Sequence, residues 1–515
     1  MLLLSLVLAP IAAAAIAVFA HGKDADQQAG DSATRLGLVI SLAIAVLSVP
    51  LVLGRGAPLD VAWFALPGTE AVIHLSLGSD GISAWLVQLV TWLTPFAILG
   101  GRGVAGGRMR EYLAAVFVCE AMMIGALLAR DLVLFYVCFE AMLLPVLVLL
   151  ALFGGPERRQ AALWFVLMTM LGSVPMLVGI WVIAAKLGTT GLAPAIEALR
   201  SGHLPASTTD WLFWSFALAF AVKVPLVPLH AWQARTYSEL PGGVAVLVAG
   251  AMAKLGVYGF LQFVLPLFPE QSAAHAQLFI VLGVIGAVGG AVVALAQDDA
   301  KRLLAYSSLS HLGLVVAGIF TFQQAALAGA AVQMVAHGLS AAALFLLVGA
   351  IEERTRSPYL DDHGAFASRA PLFSVLFVIS ALAAAGLPGT ANFAGEFLLL
   401  LGAWQYAPWV AAVAGLSVIL GAAYLLILVQ KWCYGSAPEG RAEVSDLTAR
   451  EAWAVVPLLA ASIWLGFQPG VISRYAGPSA EAMAAPARSA AAAVKPGPTP
   501  AAVPTVAPAT AQVGN

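Results

Sequence analysis

Apolar runs of about 17 to 25 residues recur from one end of this chain to the other, each long enough to cross a hydrocarbon layer of roughly 30 Å as a helix. That repetition fixes the class of fold before any motif is considered. Of 515 residues, 61% are hydrophobic and 10% are charged, against roughly 25% charged in an ordinary soluble domain. Windows between polar or Gly/Pro breaks place spans near 1–20, 34–53, 82–100, 111–129, 131–153, 161–185, 210–229, 241–266, 276–296, 302–320, 325–350, 371–404, 409–431 and 451–469. The expected fold is an all-α polytopic membrane protein of about fourteen transmembrane helices. The first twenty residues lack a basic leading segment and are followed by further spans, so they read as an uncleaved first helix.

Two spans carry their own interruptions. The one at 210–229 ends on Pro225 and Pro228, and the one at 371–404 contains Gly386-Leu387-Pro388-Gly389. A proline removes a backbone donor and clashes with the preceding turn, so both spans should break. They lie five spans apart, an odd number, which suggests two inverted five-helix repeats, each with a broken helix near mid-membrane, a common transporter plan. The expected organisation is helices 1–3 over 1–110, a first repeat over 111–266, a second over 267–435, a final transmembrane helix over 436–475 and a disordered Ala/Pro-rich tail over 476–515. In that tail the prolines recur too often for a long lateral helix.

Alternate loops hold 16 of the 25 Lys and Arg residues, among them Lys23, Arg102, Arg158, Arg235, Lys301, Arg354, Lys431 and Arg441. The positive-inside bias makes that side cytoplasmic. With fourteen spans, both termini are then periplasmic, and the expected location is a bacterial inner membrane. A formal net charge of −2 gives no electrostatic case for nucleic acid. Cys119, Cys138 and Cys433 are too far apart in sequence for a Cys-x-x-Cys site and read as helix-packing residues. With no phosphate loop, dinucleotide fingerprint, haem or iron–sulfur pattern, the chain alone is expected to bind no cofactor or metal and to perform no redox step.

A charge at the bilayer centre costs about 2.5–3.5 kcal/mol on insertion scales, so it needs a partner or a use. Four such residues stand out: Glu140 in FYVCFEAMLLP, Lys223 in FAVKVPLVPLHAW, Lys254 in AGAMAKLGVYGF and Glu396 in LPGTANFAGEF. Lys223 lies two residues before a proline break, where a wet cavity can form, and Lys254 is too deep to snorkel. A buried lysine whose protonation answers a moving neighbouring charge is suited to a proton relay. Glu396 follows the second break and reads as the terminal acid, or as a cap on the second half-helix. His311, after Ser307, Ser308 and Ser310, and His337 can pass protons between lysine and acid near neutral pH. His230, beside Pro228, is placed for proton uptake. Glu239 reads as interfacial, and Asp298, Asp299, Lys301 and Arg302 as a solvated cytoplasmic turn.

The stretches RDLVLFYVCFEAMLLPVLVLLALFGG, FALAFAVKVPLVPLHAWQ, MAKLGVYGF, DDAKRLLAYSSLSHLGLV, VAHGLSAAALFLLVGAIEER and GLPGTANFAGEF together resemble the proton-translocating module shared by complex I antiporter-like subunits and multisubunit cation/proton antiporters. The likeness runs from about residue 77 to 435. The glutamate of the GEF resembles the M-type (chain 4) branch, where L- and N-type subunits usually carry lysine. The resemblance implies that Glu140 and Lys223 form a charge pair whose separation gates transfer, that Lys254, His311 and His337 form a central axis, and that Glu396 leads to the periplasmic exit. It implies a host NADH–quinone oxidoreductase using NADH, FMN, iron–sulfur clusters and quinone, with L- and N-type sister subunits and other membrane-arm subunits as partners. The alternatives are a subunit of a sodium/proton antiporter or of a proton-pumping membrane hydrogenase. YSELPGGVAVLVAG and HGAFASRAP depart from the family pattern and leave the four membrane charges untouched.

Overall fold

A computed structural model describes residues 1–19, 27–436 and 444–494. Lys23, Arg441 and the last part of the expected tail, 495–515, lie outside the described residues. The elements are α1 (Leu2–Phe19), α2 (Gln27–Val52), a hairpin of β1 (Leu59–Ala65) and β2 (Val72–Leu77), α3 (Gly81–Ala105) and α4 (Met109–Leu128). Next come α5 (Leu132–Phe153), α6 (Arg158–Leu187), the short α7 (Leu192–Arg200), α8 (Ala206–Lys223) and α9 (Ala231–Glu239). The second half holds α10 (Gly242–Leu267), α11 (Ala276–Leu295), α12 (Ala300–Phe320), α13 (Gln324–Thr355), α14 (Pro371–Ala384) and α15 (Ala391–Tyr406). It ends with α16 (Pro408–Tyr434), α17 (Ala449–Phe467) and α18 (Gly470–Val494). Among the described residues, eleven helical stretches are long and apolar enough to cross a membrane. One of them, Gly81–Leu128, is α3 and α4 joined by the 3-10 turn Gly106–Arg108. The protein is therefore a polytopic helical membrane protein, as the apolar periodicity indicates.

Helix starts follow their capping residues. Asp80 accepts from the backbone of Ile82 and Ser83 at the start of α3, Asp131 from Val133 and Leu134 at α5, and Asp299 from Lys301 and Arg302 at α12. Each satisfies backbone donors that a helix N-terminus leaves unpaired. The exposed apolar residues of α6, including Leu163, Leu167, Met170, Leu171, Val174 and Val178, recur at three- and four-residue spacing and mark an outward face. In α10 and α13, by contrast, the most apolar window is entirely buried, and in α12 nearly so. These three central helices carry Lys254, His337 and His311.

Both interruptions fall where the prolines and glycines place them. Between α8 and α9, Leu226 N–H replaces the missing Pro225 donor on the Ala221 carbonyl at 2.8 Å, and the Trp232 indole N–H donates to the Val222 carbonyl at 3.0 Å. The freed carbonyls thus keep partners inside the protein, the condition for irregular backbone at membrane depth. Between α14 and α15, Gly386 and Gly389 take φ of +74° and +94°, a region that favours glycine. A Cβ on Gly386 would lie 2.6 Å from Glu396 Oε2, so glycine there also makes room for the acid.

The tail departs from expectation. Residues 476–494 are helical as part of α18. Ala476, Ala480, Ala484 and Ala487 are fully buried, a stripe at four- and three-residue spacing that lets this helix pack closely on α3 and α13. Gly81 N–H donates to Ser479 Oγ at 2.9 Å, and Arg488 Nε to the Phe322 carbonyl at 2.8 Å. Reading Pro478 and Pro486 as helix breakers overlooked this alanine stripe, which gives the helix a tertiary partner to lie against.

The turn before α12 also differs from its reading. Asp298 and Arg302 are exposed, but Asp299 and Lys301 are buried, Lys301 with Nζ donating to the Ser238 and Leu240 carbonyls at 3.2 and 2.9 Å and paired with Glu352 at 2.5 Å. These partners end α9 and α13, so Lys301 ties the second half of the broken helix to the central helices. Their distance along the chain hides the arrangement from the sequence.

Candidate functional site

The four charges within the spans, buried except for the half-buried Glu140, fall into two groups. In the first, Glu140 on α5 lies beside Ser173 and within electrostatic range of Lys223 at the end of α8. The two do not form an ion pair: Glu140 Oε1 and Lys223 Nζ are both buried without a hydrogen-bond partner among the described residues. Instead, Lys223 Nζ sits 4.8 Å from the centroid of the Phe139 ring. That ring is held between Phe135 and Phe220, at 5.3 and 5.8 Å between centroids. A cation over an aromatic face is stabilised by about 2 kcal/mol when desolvated. The structure therefore shows the acid and the base apart, with the lysine parked on the residue next to the acid.

The second group forms a row whose ends are hydrogen-bonded and whose middle link is a contact between two rings, His311 Nε2 having no hydrogen-bond partner among the described residues. Lys254 Nζ lies 2.8 Å from His337 Nδ1, the His337 and His311 rings are 5.2 Å apart between centroids, and His311 Nδ1 lies 3.0 Å from Glu396 Oε1. All four residues are buried. They come from α10, α13, α12 and α15, and each link joins residues that tertiary packing alone brings together. Gln333 Nε2 also donates to Glu396 at 3.3 Å, while Tyr424 donates to Ser307 Oγ at 2.8 Å and Asn392 Nδ2 to Ser340 Oγ at 3.0 Å. Glu396 is not the cap of the second half-helix: Thr390 occupies the N-cap position.

Local backbone sets the lysine. Residues Val248–Met252 of α10 form a π-helical turn, in which Ala253 N–H donates to Val248 O at 3.2 Å. The Ala249 carbonyl accepts instead from Lys254 Nζ at 2.6 Å. A bulge of this kind frequently marks a functional position in a helix. Here it anchors one hydrogen of the side chain and aims the nitrogen at His337. The row from amine to imidazole to imidazole to carboxylate can pass a proton by successive transfers, since every member can hold or release one.

His230 lines a cavity of about 510 Å³ together with Glu157, Arg235, Glu239, Arg302 and Tyr306. Its Nδ1 is buried without a partner among the described residues. Glu239 is half-buried and accepts from the Glu157 N–H at 2.9 Å. One buried acid escaped the sequence reading altogether. Glu120, on α4, is fully buried, and neither of its oxygens has a hydrogen-bond partner among the described residues. The signal was present: an acid nine residues into the 111–129 span, well away from Glu111 at its edge.

Residues 129–421 match the family described as NADH:quinone oxidoreductase/Mrp antiporter, transmembrane. The chain is 38% identical to NADH-quinone oxidoreductase subunit M of Rhodobacter capsulatus, over 91% of this chain and 94% of that protein. It is 37% identical to NADH-ubiquinone oxidoreductase chain 4 of Marchantia polymorpha, over 78% and 80% of the two chains. Among solved structures, a chain of respiratory complex I from Thermus thermophilus with bound NADH superposes with a TM-score of 0.83 at 34% identity, covering 95% of this chain and all of that one. A chain of the Mrp complex from Dietzia sp. DQ12-45-1b shares the fold, with a TM-score of 0.80 at 22% identity over 95% and 99% of the chains. On its matched residues, and on likeness over nearly its whole length, the chain belongs to the NADH:quinone oxidoreductase/Mrp antiporter transmembrane family.

Proposed function

We propose that this protein is a proton-translocating membrane subunit of a respiratory NADH–quinone oxidoreductase, moving protons along Lys254, His337, His311 and Glu396 under control of the Glu140–Lys223 pair. The observation that carries this reading is the buried row of neighbouring groups from the Lys254 amine to the Glu396 carboxylate, hydrogen-bonded at both ends and joined in the middle by two facing imidazoles. A row of four ionisable groups inside a membrane is costly unless charge passes through it. Quinone reduction elsewhere in the complex shifts Lys223 between the Phe139 ring and Glu140. The changed field at Lys254 then favours gain or loss of its proton, and Glu396 hands protons onward on the periplasmic side.

In this reading the chain performs no redox step itself. NADH, FMN, iron–sulfur clusters and quinone belong to the host complex, and L- and N-type sister subunits flank it in the membrane arm. It crosses a bacterial inner membrane fourteen times, counting each broken helix as one crossing, with both termini periplasmic. Residues 111–266 and 267–435 act as inverted repeats, each with its broken helix, α8–α9 and α14–α15. His230 and its cavity take up protons on the cytoplasmic side. The names of the relatives at 36–38% identity support the complex I reading over a cation/proton antiporter, to which the likeness is one of fold.

The test is proton pumping by the whole complex in sealed vesicles, wild type against Glu140→Gln. Loss of pumping with assembly and NADH oxidation intact is the expected result. Full pumping would mean that this acid is structural and that the gate lies elsewhere.

A further inference from the structure

Lys254 meets a carbonyl and an imidazole but no carboxylate among the described residues. Glu120 is a fully buried acid with neither oxygen hydrogen-bonded among the described residues. The two belong to helices that run in the same direction, both pack on α3, and meet each other at their far ends. At their starts, α4 and α10 both meet the end of α3: Tyr112 donates to the Ala97 carbonyl at 2.9 Å, and a Cβ on Gly243 would lie 2.6 Å from that carbonyl. At their far ends Tyr258 donates to the Leu127 carbonyl at 2.8 Å.

The register follows from that last tie. At about 1.5 Å per residue, Glu120 lies about 10 Å before Leu127, while Lys254 lies about 6 Å and Ala249 about 13 Å before Tyr258. Glu120 therefore falls in the layer that the Lys254 side chain crosses on its way to the Ala249 carbonyl. Side chains in a helix lean toward its N-terminus, so acid and amine both lean toward the cytoplasmic side. The lateral neighbours agree. Thr94 of α3 lies beside Glu120, and the preceding residue, Leu93, packs on Gly250 in the π-helical turn that holds Lys254, 2.8 Å from a Cβ placed there.

From this juxtaposition we infer that Glu120 is a second proton-carrying acid of the subunit, which exchanges a proton with Lys254. The inference rests on the reading of the Lys254 row as a proton path. In the exchange the Glu120 carboxylic O–H bond breaks, an N–H bond forms on the Lys254 amine, and a carboxylate and an ammonium result. The reverse step restores the neutral pair. A single ion in this layer is disfavoured by several kcal/mol, whereas the two neutral groups, or the two ions together, compensate one another. Glu120 thus gives Lys254 a proton donor on the α4 side while His337 receives on the α13 side.

The experiment compares protons translocated per NADH oxidised in sealed vesicles for the assembled wild-type complex and for the Glu120→Gln, Glu120→Asp and Lys254→Met variants. Infrared difference spectra with and without turnover are recorded on the same samples. Expected are a fall in the Glu120→Gln ratio to the Lys254→Met value, recovery in Glu120→Asp, and a turnover-dependent carboxylic C=O band in the wild type that Glu120→Gln removes. A wild-type ratio in Glu120→Gln beside a lowered ratio in Lys254→Met would overturn the inference and leave the Lys254 path standing. Wild-type ratios in both would overturn the path and the inference with it. If Glu120→Gln does not assemble, Glu120→Asp decides: a carboxylic band that shifts with the shortened side chain supports the exchange, and an unshifted band contradicts it.

Discussion

Replacing Phe139 by leucine removes the aromatic face on which Lys223 rests while keeping an apolar side chain between Phe135 and Phe220. The contact is 4.8 Å from ammonium to ring centroid and lies in a buried site, where such an interaction contributes about 2 kcal/mol. The competing position for the lysine is an ion pair with Glu140, whose Oε1 is buried and unpartnered among the described residues. Losing about 2 kcal/mol from one of two positions shifts their ratio roughly 30-fold, since 1.4 kcal/mol corresponds to a factor of ten. Phe139→Leu should therefore hold the Glu140–Lys223 pair closed. Proton pumping per NADH oxidised should fall while NADH oxidation by the uncoupled complex continues, and a structure of the variant should place Lys223 Nζ within 4 Å of the Glu140 carboxylate. Phe139→Tyr, which keeps the ring, should pump like the wild type. The reasoning fails if Phe139→Leu pumps normally with Lys223 still away from Glu140.

Two further substitutions probe how the site is held. Gly386→Ala places a Cβ where the backbone φ is +74° and where Glu396 Oε2 would be 2.6 Å away. It should cost about 1–2 kcal/mol, move Glu396 off His311 and slow pumping more than it lowers the melting temperature, as vesicle pumping and thermal unfolding of the solubilised complex would report. Lys301→Met breaks the pair with Glu352 and leaves the Ser238 and Leu240 carbonyls without their shared donor. Lys301 is 3% exposed and Glu352 27%, so the cost should fall between that of surface and buried pairs, roughly 1–3 kcal/mol, read as a lower melting temperature of the complex.

How much of this was written in the sequence depends on the length scale at which each feature is set. The spans and the two breaks are local: apolar runs, Pro225 and Pro228, and the Gly386–Gly389 turn determine them within a few residues. The six relay candidates stood out because each is an ionisable or imidazole group inside an apolar span, His311 with three serines beside it, a signal that a single helix displays. Their connection came from the family resemblance and not from spacing, because Lys254 meets His337 across 83 positions and Glu396 meets His311 across 85. Spacing within one helix carries no information about which helix faces it. Glu120 shows the same local signal as Glu140, with no break beside it to suggest a use. Lys301 looked solvated beside Asp298, Asp299 and Arg302 because its partners arrive from two other helices. The alanine stripe of α18 was masked by two prolines whose effect depends on the surface the helix lies against.

The most direct measurement of the central claim is the number of protons translocated per NADH oxidised by the complex carrying His311→Phe, which keeps the packed ring and removes both nitrogens midway along the row. The expected result is an assembled complex that oxidises NADH and reduces quinone while its proton yield falls. A wild-type proton yield in that variant would contradict the claim that protons pass from Lys254 to Glu396 through the two histidines.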